Sequence, residues 1–140
     1  MPIPLDPIPQ PLDHLALCGE DASPALVLRG ETVSWQDLRT RVARLAGWLK
    51  TQVPEPGARV ASWAAKGELT CLLPLAAARA GLVHVPINPL LKRTQVAHIL
   101  AEERCEHLVD ALGGDATGWL YSPEALTTIH GALFFRLEPR

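Results

Sequence analysis

Residues 59–110 read RVASW AAKG ELTCLLPLAAARA G LVHVPI NPLLKR TQVAHILAEE RC EHLVD, and the order of patterns in this stretch decides the fold. Arg59-Val60-Ala61-Ser62-Trp63 is a short β-rich run that ends at the loop Lys66-Gly67. Residues 68–80 are dense in Leu and Ala and predict a helix buried on most sides. Gly81 is the expected left-handed stop. Residues 82–87 predict a strand, with Val83 and Val85 alternating against His84, and Pro86 and Pro89 close it. Residues 94–103 predict a helix whose face carries Val96, Ile99 and Leu100, and residues 106–110 predict a last strand centred on His107-Leu108-Val109. A β-α-β-α-β order with short connections predicts an α/β fold: a parallel sheet flanked by helices.

The pattern extends towards the N-terminus. Ser34 opens the clearest helix, because Ser34-x-x-Asp37 offers a hydroxyl to a first-turn amide and a carboxylate to the positive helix end. Trp35, Leu38, Val42, Leu45, Ala46 and Leu49 recur at three- and four-residue steps and form one apolar stripe. Arg39, Arg41 and Arg44 fall outside the stripe and read as a solvated face, with a docking surface as the alternative. Pro54-Glu55-Pro56-Gly57 stops the helix. Before it, residues 25–29 and Thr32-Val33 predict a hairpin that turns at Gly30-Glu31. Residues 12–18 predict a short helix. Residues 1–11 hold five prolines and form a lead-in arm with no helix.

Beyond Asp110 the patterns weaken. Gly113-Gly114-Asp115 predicts a turn, residues 123–133 a helix capped by Ser122, and residues 134–137 a strand with nothing after it to pair with. The chain thus divides into the arm 1–11, a lobe 12–112 and a tail 113–140.

Composition sets the outer limits. The chain has 140 residues, 48% hydrophobic and 20% charged. One domain fits this length, and such a chain buries about 68% of its unfolded surface, enough for a core. The net charge of -2, from 13 basic and 15 acidic residues, leaves no basic footprint for nucleic acid. Aromatics at 5% are too sparse for a stacking platform. Cys18, Cys71 and Cys105 have neither the even number nor the spacing of a disulfide framework or zinc site, and read as buried, reduced thiols. The N-terminus lacks the charged and apolar regions of a signal peptide. The longest apolar run, residues 69–78, falls far short of the roughly 20 residues that span a bilayer. A soluble, cytoplasmic protein is the expectation.

Several segments resemble the adenylate-forming, AMP-binding ligases. Val33-Ser34-Trp35-Gln36-Asp37-Leu38 is similar to that family's first core motif. Ala78-Arg79-Ala80-Gly81-Leu82-Val83-His84-Val85-Pro86-Ile87-Asn88-Pro89 resembles the second. Pro56-Gly57-Ala58-Arg59-Val60-Ala61 is similar to its strand entry, with Ala58 in place of the usual Asp. Leu90-Leu91-Lys92 and Gln95-Val96-Ala97-His98-Ile99-Leu100 continue the likeness. The wording is nearest to bacterial acyl-CoA ligases of the exosortase- and exopolysaccharide-associated branch. The resemblance covers residues 12–110, and its specificity lies in the order and spacing of several motifs. It implies the incomplete N-terminal lobe of the ligase fold.

The implied family activity is ATP-dependent ligation. A carboxylate attacks the α-phosphate to give an acyl-adenylate and pyrophosphate, and a thiol, usually of CoA, then displaces AMP. ATP, Mg²⁺, a carboxylic acid and CoA are the implied ligands. The chemistry needs a Ser/Thr/Gly-rich loop followed by Pro-Lys-Gly, a ribose-binding Asp and a distant catalytic Lys. These 140 residues contain none of them. Gly113-Gly114-Asp115-Ala116-Thr117-Gly118 lacks the following lysine, and Asp115 repels phosphate, so it reads as a plain loop.

Other constellations are equally bare. No Gly-x-Ser-x-Gly elbow surrounds Ser23, Ser34, Ser62 or Ser122. His84, His98 and His107 lack metal-ligand spacing and read as structural histidines. Lys66 reads as a solvated loop lysine rather than a phosphate contact. Cys71 and Cys105 have no activating partner. Trp35 and Trp48 read as core and edge packing. No catalytic, cofactor or metal residue is assigned. The expectation is therefore a truncated acyl-CoA ligase that is inactive as it stands. The alternative is a non-catalytic binding module built on the same lobe, its tail capping the sheet edge.

Overall fold

The strand Arg59–Trp63 (β3) lies between two parallel neighbours, Val83–Ile87 (β4) and His107–Asp110 (β5). The computed structural model describes residues 8–110 in full, and residues 121–129 and 132–139 as backbone strands. The expectations for residues 1–7 and for the Gly113-Gly114-Asp115 turn lie outside the described residues.

Alternation along β3 divides the molecule into two cores. Val60 joins Val109 and the buried residues of helices Trp35–Gln52 (α1) and Glu68–Arg79 (α2). Ala61 and Trp63 instead pack with Ile87, Leu108 and helix Arg93–Glu102 (α3). Neighbouring residues of a strand point to opposite faces, so α2 and α3 cover opposite sides of the sheet. The strand order β4-β3-β5 explains this. The first crossover steps one way, the second steps back across β3, and connections of one hand must then pass over opposite faces.

Hydrophobic burial holds this arrangement together. Leu72 and Leu73 of α2, Leu49 of α1, Leu100 of α3 and Leu108 of β5 are fully buried. Each such side chain is worth about 1.5–3 kcal/mol over an exposed one. A partly exposed ion pair contributes about 0–1 kcal/mol, so the core decides stability. Pro74 sits inside α2 and removes the amide that would bond the Thr70 carbonyl. The helix continues through it, carried by six buried apolar residues.

The N-terminal elements follow the predicted pattern with local shifts. A 3₁₀ helix, Leu12–Leu17, leads into the hairpin Pro24–Leu28 (β1) and Glu31–Ser34 (β2). Leu28 pairs with Glu31, so the turn residues are Arg29-Gly30, one position earlier than expected, with Gly30 at φ +78°. Ser34 caps α1 as predicted, its Oγ accepting the Asp37 amide at 3.1 Å.

The expected helix over residues 123–133 is overturned. Tyr121–Ile129 (β6) and Ala132–Pro139 (β7) are antiparallel strands, and β7 pairs with β5. The strand at residues 134–137 therefore does have partners. Thr127-Thr128-Ile129 is β-branched and favours extension, and the sequence between the strands includes Gly131, the residue tight hairpins prefer. The open side of β5 supplied the decisive pairing. The sheet is thus mixed, in the order β4-β3-β5-β7-β6. Pro123 lies in its outermost strand, where a missing amide is tolerated.

The helices α2 and α3 end alike. At α2 the Leu82 amide bonds the Ala77 carbonyl (2.9 Å) and the Gly81 amide the Ala78 carbonyl (3.1 Å). At α3 the Cys105 amide bonds the Leu100 carbonyl (3.0 Å) and the Arg104 amide the Ala101 carbonyl (3.3 Å). Both are Schellman motifs, whose closing residue takes left-handed backbone. Gly81 does so at φ +76° and Arg104 at φ +52°. A Cβ costs about 1–2 kcal/mol there. Arg104→Gly should therefore raise stability by about 1 kcal/mol, and Gly81→Ala should lower it by about as much. Urea unfolding midpoints check both, and equal midpoints would remove backbone strain as the cause.

Candidate functional site

In open α/β sheets ligands collect outside the carboxyl ends of the strands, where connections leave in opposite directions. Here that edge is set by Trp63, Ile87 and Asp110, which lie in one register row. The β3–α2 loop brings exposed Lys66 and half-buried Gly67 to it, as the sequence placed them. The β4–α3 loop is a stiff turn: the Asn88 Oδ1 accepts the Leu90 amide at 2.9 Å, and the Asn88 carbonyl accepts that of Leu91 at 3.1 Å. Leu90 is left 88% exposed at its tip.

The start of α2 next to this edge is already occupied. The Thr70 hydroxyl donates to the Gly67 carbonyl at 2.9 Å and its Oγ1 lies 3.0 Å from the Gly67 amide. Glu68 places a carboxylate in the first turn and binds Arg41 at 2.6 Å. That carboxylate already complements the positive end of the helix, so no anion cradle is presented there.

Two arginines read as solvent-facing are structural ties, which corrects that expectation. Arg41 of α1 also binds Glu31 of β2 at 3.0 Å, so one guanidinium joins the hairpin, α1 and α2. Its hydrogen bonds to Glu31 and then Glu68 raise its pKa further above the ordinary arginine value. Arg39 donates to the carbonyls of Ala16 (3.3 Å) and Gly19 (3.2 Å) and pairs with Asp21. Arg44 is exposed as expected. No helical-periodicity argument finds such ties, because the acceptors come from other elements.

The three histidines are not brought together. His84 and His107 both align with Val60, on either side of it, whereas His98 is exposed on α3 and pairs with Glu102 at 3.1 Å. His107 is buried. Among the described residues no group of three or more His, Cys, Asp and Glu is placed to hold a metal ion. His84 instead meets Ser62, with Nε2 2.8 Å from Oγ. The sequence showed Ser62 and His84 separately. They meet because β3 and β4 pair in parallel with Ser62 opposite Pro86, two residues beyond His84. Burial pulls the His84 pKa below its ordinary value, which favours the neutral imidazole. The Gly113–Gly118 loop lies outside the described residues.

Comparison with known proteins decides the family. Residues 16–129 match the AMP-binding enzyme family. The chain belongs to that family. The match runs past Asp110, further than the recognisable motifs reach. Among AMP-binding relatives, novobiocin biosynthesis protein H of Streptomyces niveus is 34% identical over 83 residues, 59% of this chain and 14% of that protein. The fatty acid–[acyl-carrier-protein] ligase ScoC of Streptomyces coeruleorubidus is 32% identical over 83 residues, 59% of this chain and 16% of that protein. The chain thus spans less than a fifth of either. Apo MatB from Rhodopseudomonas palustris shares the fold, with TM-score 0.60 at 24% identity over 69% of this chain and 20% of that one. The N-terminal subdomain of Klebsiella oxytoca NpsA does so at TM-score 0.62 and 21% identity, over 70% of this chain and 24% of that chain. The fold expected from the resemblance, the N-terminal lobe of the adenylate-forming ligases, is therefore the fold found.

The thiols depart from expectation. Only Cys105 is buried; Cys18 and Cys71 are exposed. Cys71 lies on the outward side of α2, a helix that the apolar composition made look enclosed. Burial, more than the nearby charges of Arg59 and Glu103, pushes the Cys105 thiol up to about 11. Ellman's reagent should therefore titrate two thiols in the native protein and the third only on unfolding. Three fast thiols would show that the α3–β5 junction is open.

Proposed function

We propose that this chain supplies the N-terminal lobe of an ATP-dependent acid–thiol ligase. Such an enzyme activates a carboxylic acid as its acyl-adenylate and passes the acyl group to CoA or a carrier thiol. The observation that carries this reading is the family match through residues 16–129, joined to a relative named as a fatty acid–[acyl-carrier-protein] ligase. The bacterial exosortase- and exopolysaccharide-associated branch is our finer reading from the motif wording, and a cytoplasmic site of action is our finer reading from the composition. No described helix is long and apolar enough to cross a membrane.

On this reading the 140 residues do scaffold work. Gly81, Ser34 and Pro86 fix a helix stop, a helix start and a strand exit. The described residues hold no carboxylate cluster for Mg²⁺, and the sequence holds no Pro-Lys-Gly loop. The cation and phosphate chemistry then belongs to the portion of the ligase fold this chain does not contain, and we propose that the chain alone is inactive. We read the domains as an arm 1–11, a lobe 12–112 and a tail 113–140. The pairing of β7 with β5 favours a second role for that tail, as a cap on the sheet edge in a non-catalytic binding module.

Two measurements test this. The 140-residue chain should show no carboxylate-dependent ATP–pyrophosphate exchange. Exchange above background would overturn the assignment of phosphate chemistry to the missing portion. Translating the source DNA beyond codon 140 in all frames should reveal a Ser/Thr/Gly-rich loop with Pro-Lys-Gly. A stop followed by unrelated sequence would sink the ligase reading and leave the binding module.

A further inference from the structure

Among the described residues β4 is an open edge, because it ends the order β4-β3-β5-β7-β6. The Val83 amide bonds the Ala58 carbonyl at 2.9 Å, so His84 and Pro86, out of phase with Val83, face the open side. They offer both carbonyls there but only the His84 amide, since proline has none. Their side chains lie on the α2 face, in a groove of about 330 Å³ lined also by Leu12, Pro74, Ala78 and Leu82. Leu12 is 54% exposed, Pro86 is exposed, and Pro74 and Ala78 are half-buried. An apolar groove thus runs beside an unpaired strand.

The chain before Ile8 reads Met1-Pro2-Ile3-Pro4-Leu5-Asp6-Pro7. It lies outside the family match, which starts at residue 16. Each proline biases the residue before it to extended backbone. In that geometry Ile3 and Leu5 share one face and turn their amides to one edge, while Pro2 and Pro4 take the other. We propose that residues 2–6 pair antiparallel with β4, Leu5 opposite His84 and Ile3 opposite Pro86, and fill the groove. The inference does not rest on the ligase reading.

Donors and acceptors match at this register. Leu5 and His84 exchange both backbone bonds. The Ile3 amide meets the Pro86 carbonyl, and Pro86 has no amide to leave unmet. Pro7 falls opposite Leu82, whose amide is already bonded to the Ala77 carbonyl at 2.9 Å, so neither seeks a partner there. Directly opposed residues of an antiparallel pair share a face, so Ile3 and Leu5 enter the groove beside His84 and Pro86. A parallel arm would send them to the other face of the sheet. Connectivity selects the same direction. Asp13 pairs with Arg79 at 3.4 Å, just before Gly81 turns the chain into β4. The arm therefore departs at the start of β4, and residues 8–11 bridge Pro7 to Leu12 over at most about 17 Å. So short a tether holds the arm at about millimolar effective concentration, which favours it over a second copy. Pro2 and Pro4 then present no amides to the new outer edge, and the sheet stops there.

Hydrogen exchange of the 140-residue chain tests this at the His84 amide. It should exchange at least about tenfold more slowly than its intrinsic rate. Removing residues 2–7 should abolish that protection while the interior of α1 stays protected. Leu5→Pro removes the paired amide and should abolish it too, whereas Asp6→Pro removes an amide that faces solvent and should leave it. An unprotected His84 amide in the parent chain, or protection that survives the truncation, would overturn the docking. Equal effects of L5P and D6P would overturn the register and the proposal with it. Protection that falls on dilution would assign the edge to a second copy instead. If the truncated chain does not fold, the two proline variants decide, since neither alters a residue of the described core.

Discussion

Strand β3 is hydrogen-bonded on both edges and covered on both faces, and every other element is placed relative to it. A strand so enclosed has no solvent side, so each residue after Arg59 must suit a buried environment. Val60, Ala61 and Ser62 do: two are apolar, and the third has its hydroxyl met by His84. From that strand the helices follow. The apolar parity of Val60 and Val109 calls for α1 and α2 on one face, and that of Ala61 and Leu108 calls for α3 on the other. A polar substitution at Ala61 would meet α3 with no partner, so the position admits little else.

Legibility in the sequence tracks how local the determining interaction is. Ser34, Gly81 and the stripe from Leu38 to Leu49 act within a few residues of themselves, and the structure places them as read. Arg104 performs the same helix stop as Gly81 but carries no sequence mark of it, because only the 3₁₀-type and reversed bonds at Ala101 and Leu100 reveal the backbone there. Residues 123–133 failed for the complementary reason. Leu126 and Ile129 suit a helix face as well as a strand, and the open edge of β5, remote in sequence, chose the strand. Arg41 and Ser62 likewise depend on partners 27 and 22 residues away.

Of the candidate site, the sequence marked the Lys66-Gly67 loop but not the Ser62–His84 contact, which forms only once β3 and β4 pair. Family motifs at Ser34 and at Gly81 to Pro89 are scaffold residues, and their physics is capping, turning and strand exit. Four arginines of the lobe are spent in the same way. Arg39, Arg41, Arg59 and Arg79 each join two segments of chain, and the carboxylates that face them are Asp21, Glu31, Glu68, Glu103 and Asp13. These pairs are partly exposed, so each adds little to stability. Their value is geometric, since they fix how the hairpin and the 3₁₀ helix sit on α1 and α2. Lys66, exposed beside the carboxyl edge of the sheet, enters none of these pairs.

The outer edge at β4 completes the same logic. The Val83 amide bonds the Ala58 carbonyl at 2.9 Å, so Val83, and by the two-residue period Val85 and Ile87, turn their amides towards β3. His84 and Pro86 turn theirs towards the open side, and proline has none to offer. An incoming strand would therefore find the His84 amide and then a gap, which discourages pairing between copies. The Pro86 that fits the family's second motif thus also protects an exposed edge, and it lines the groove in which His84 sits. One residue serves strand exit, edge protection and groove wall because all three require the same thing: a rigid apolar ring where no amide is needed.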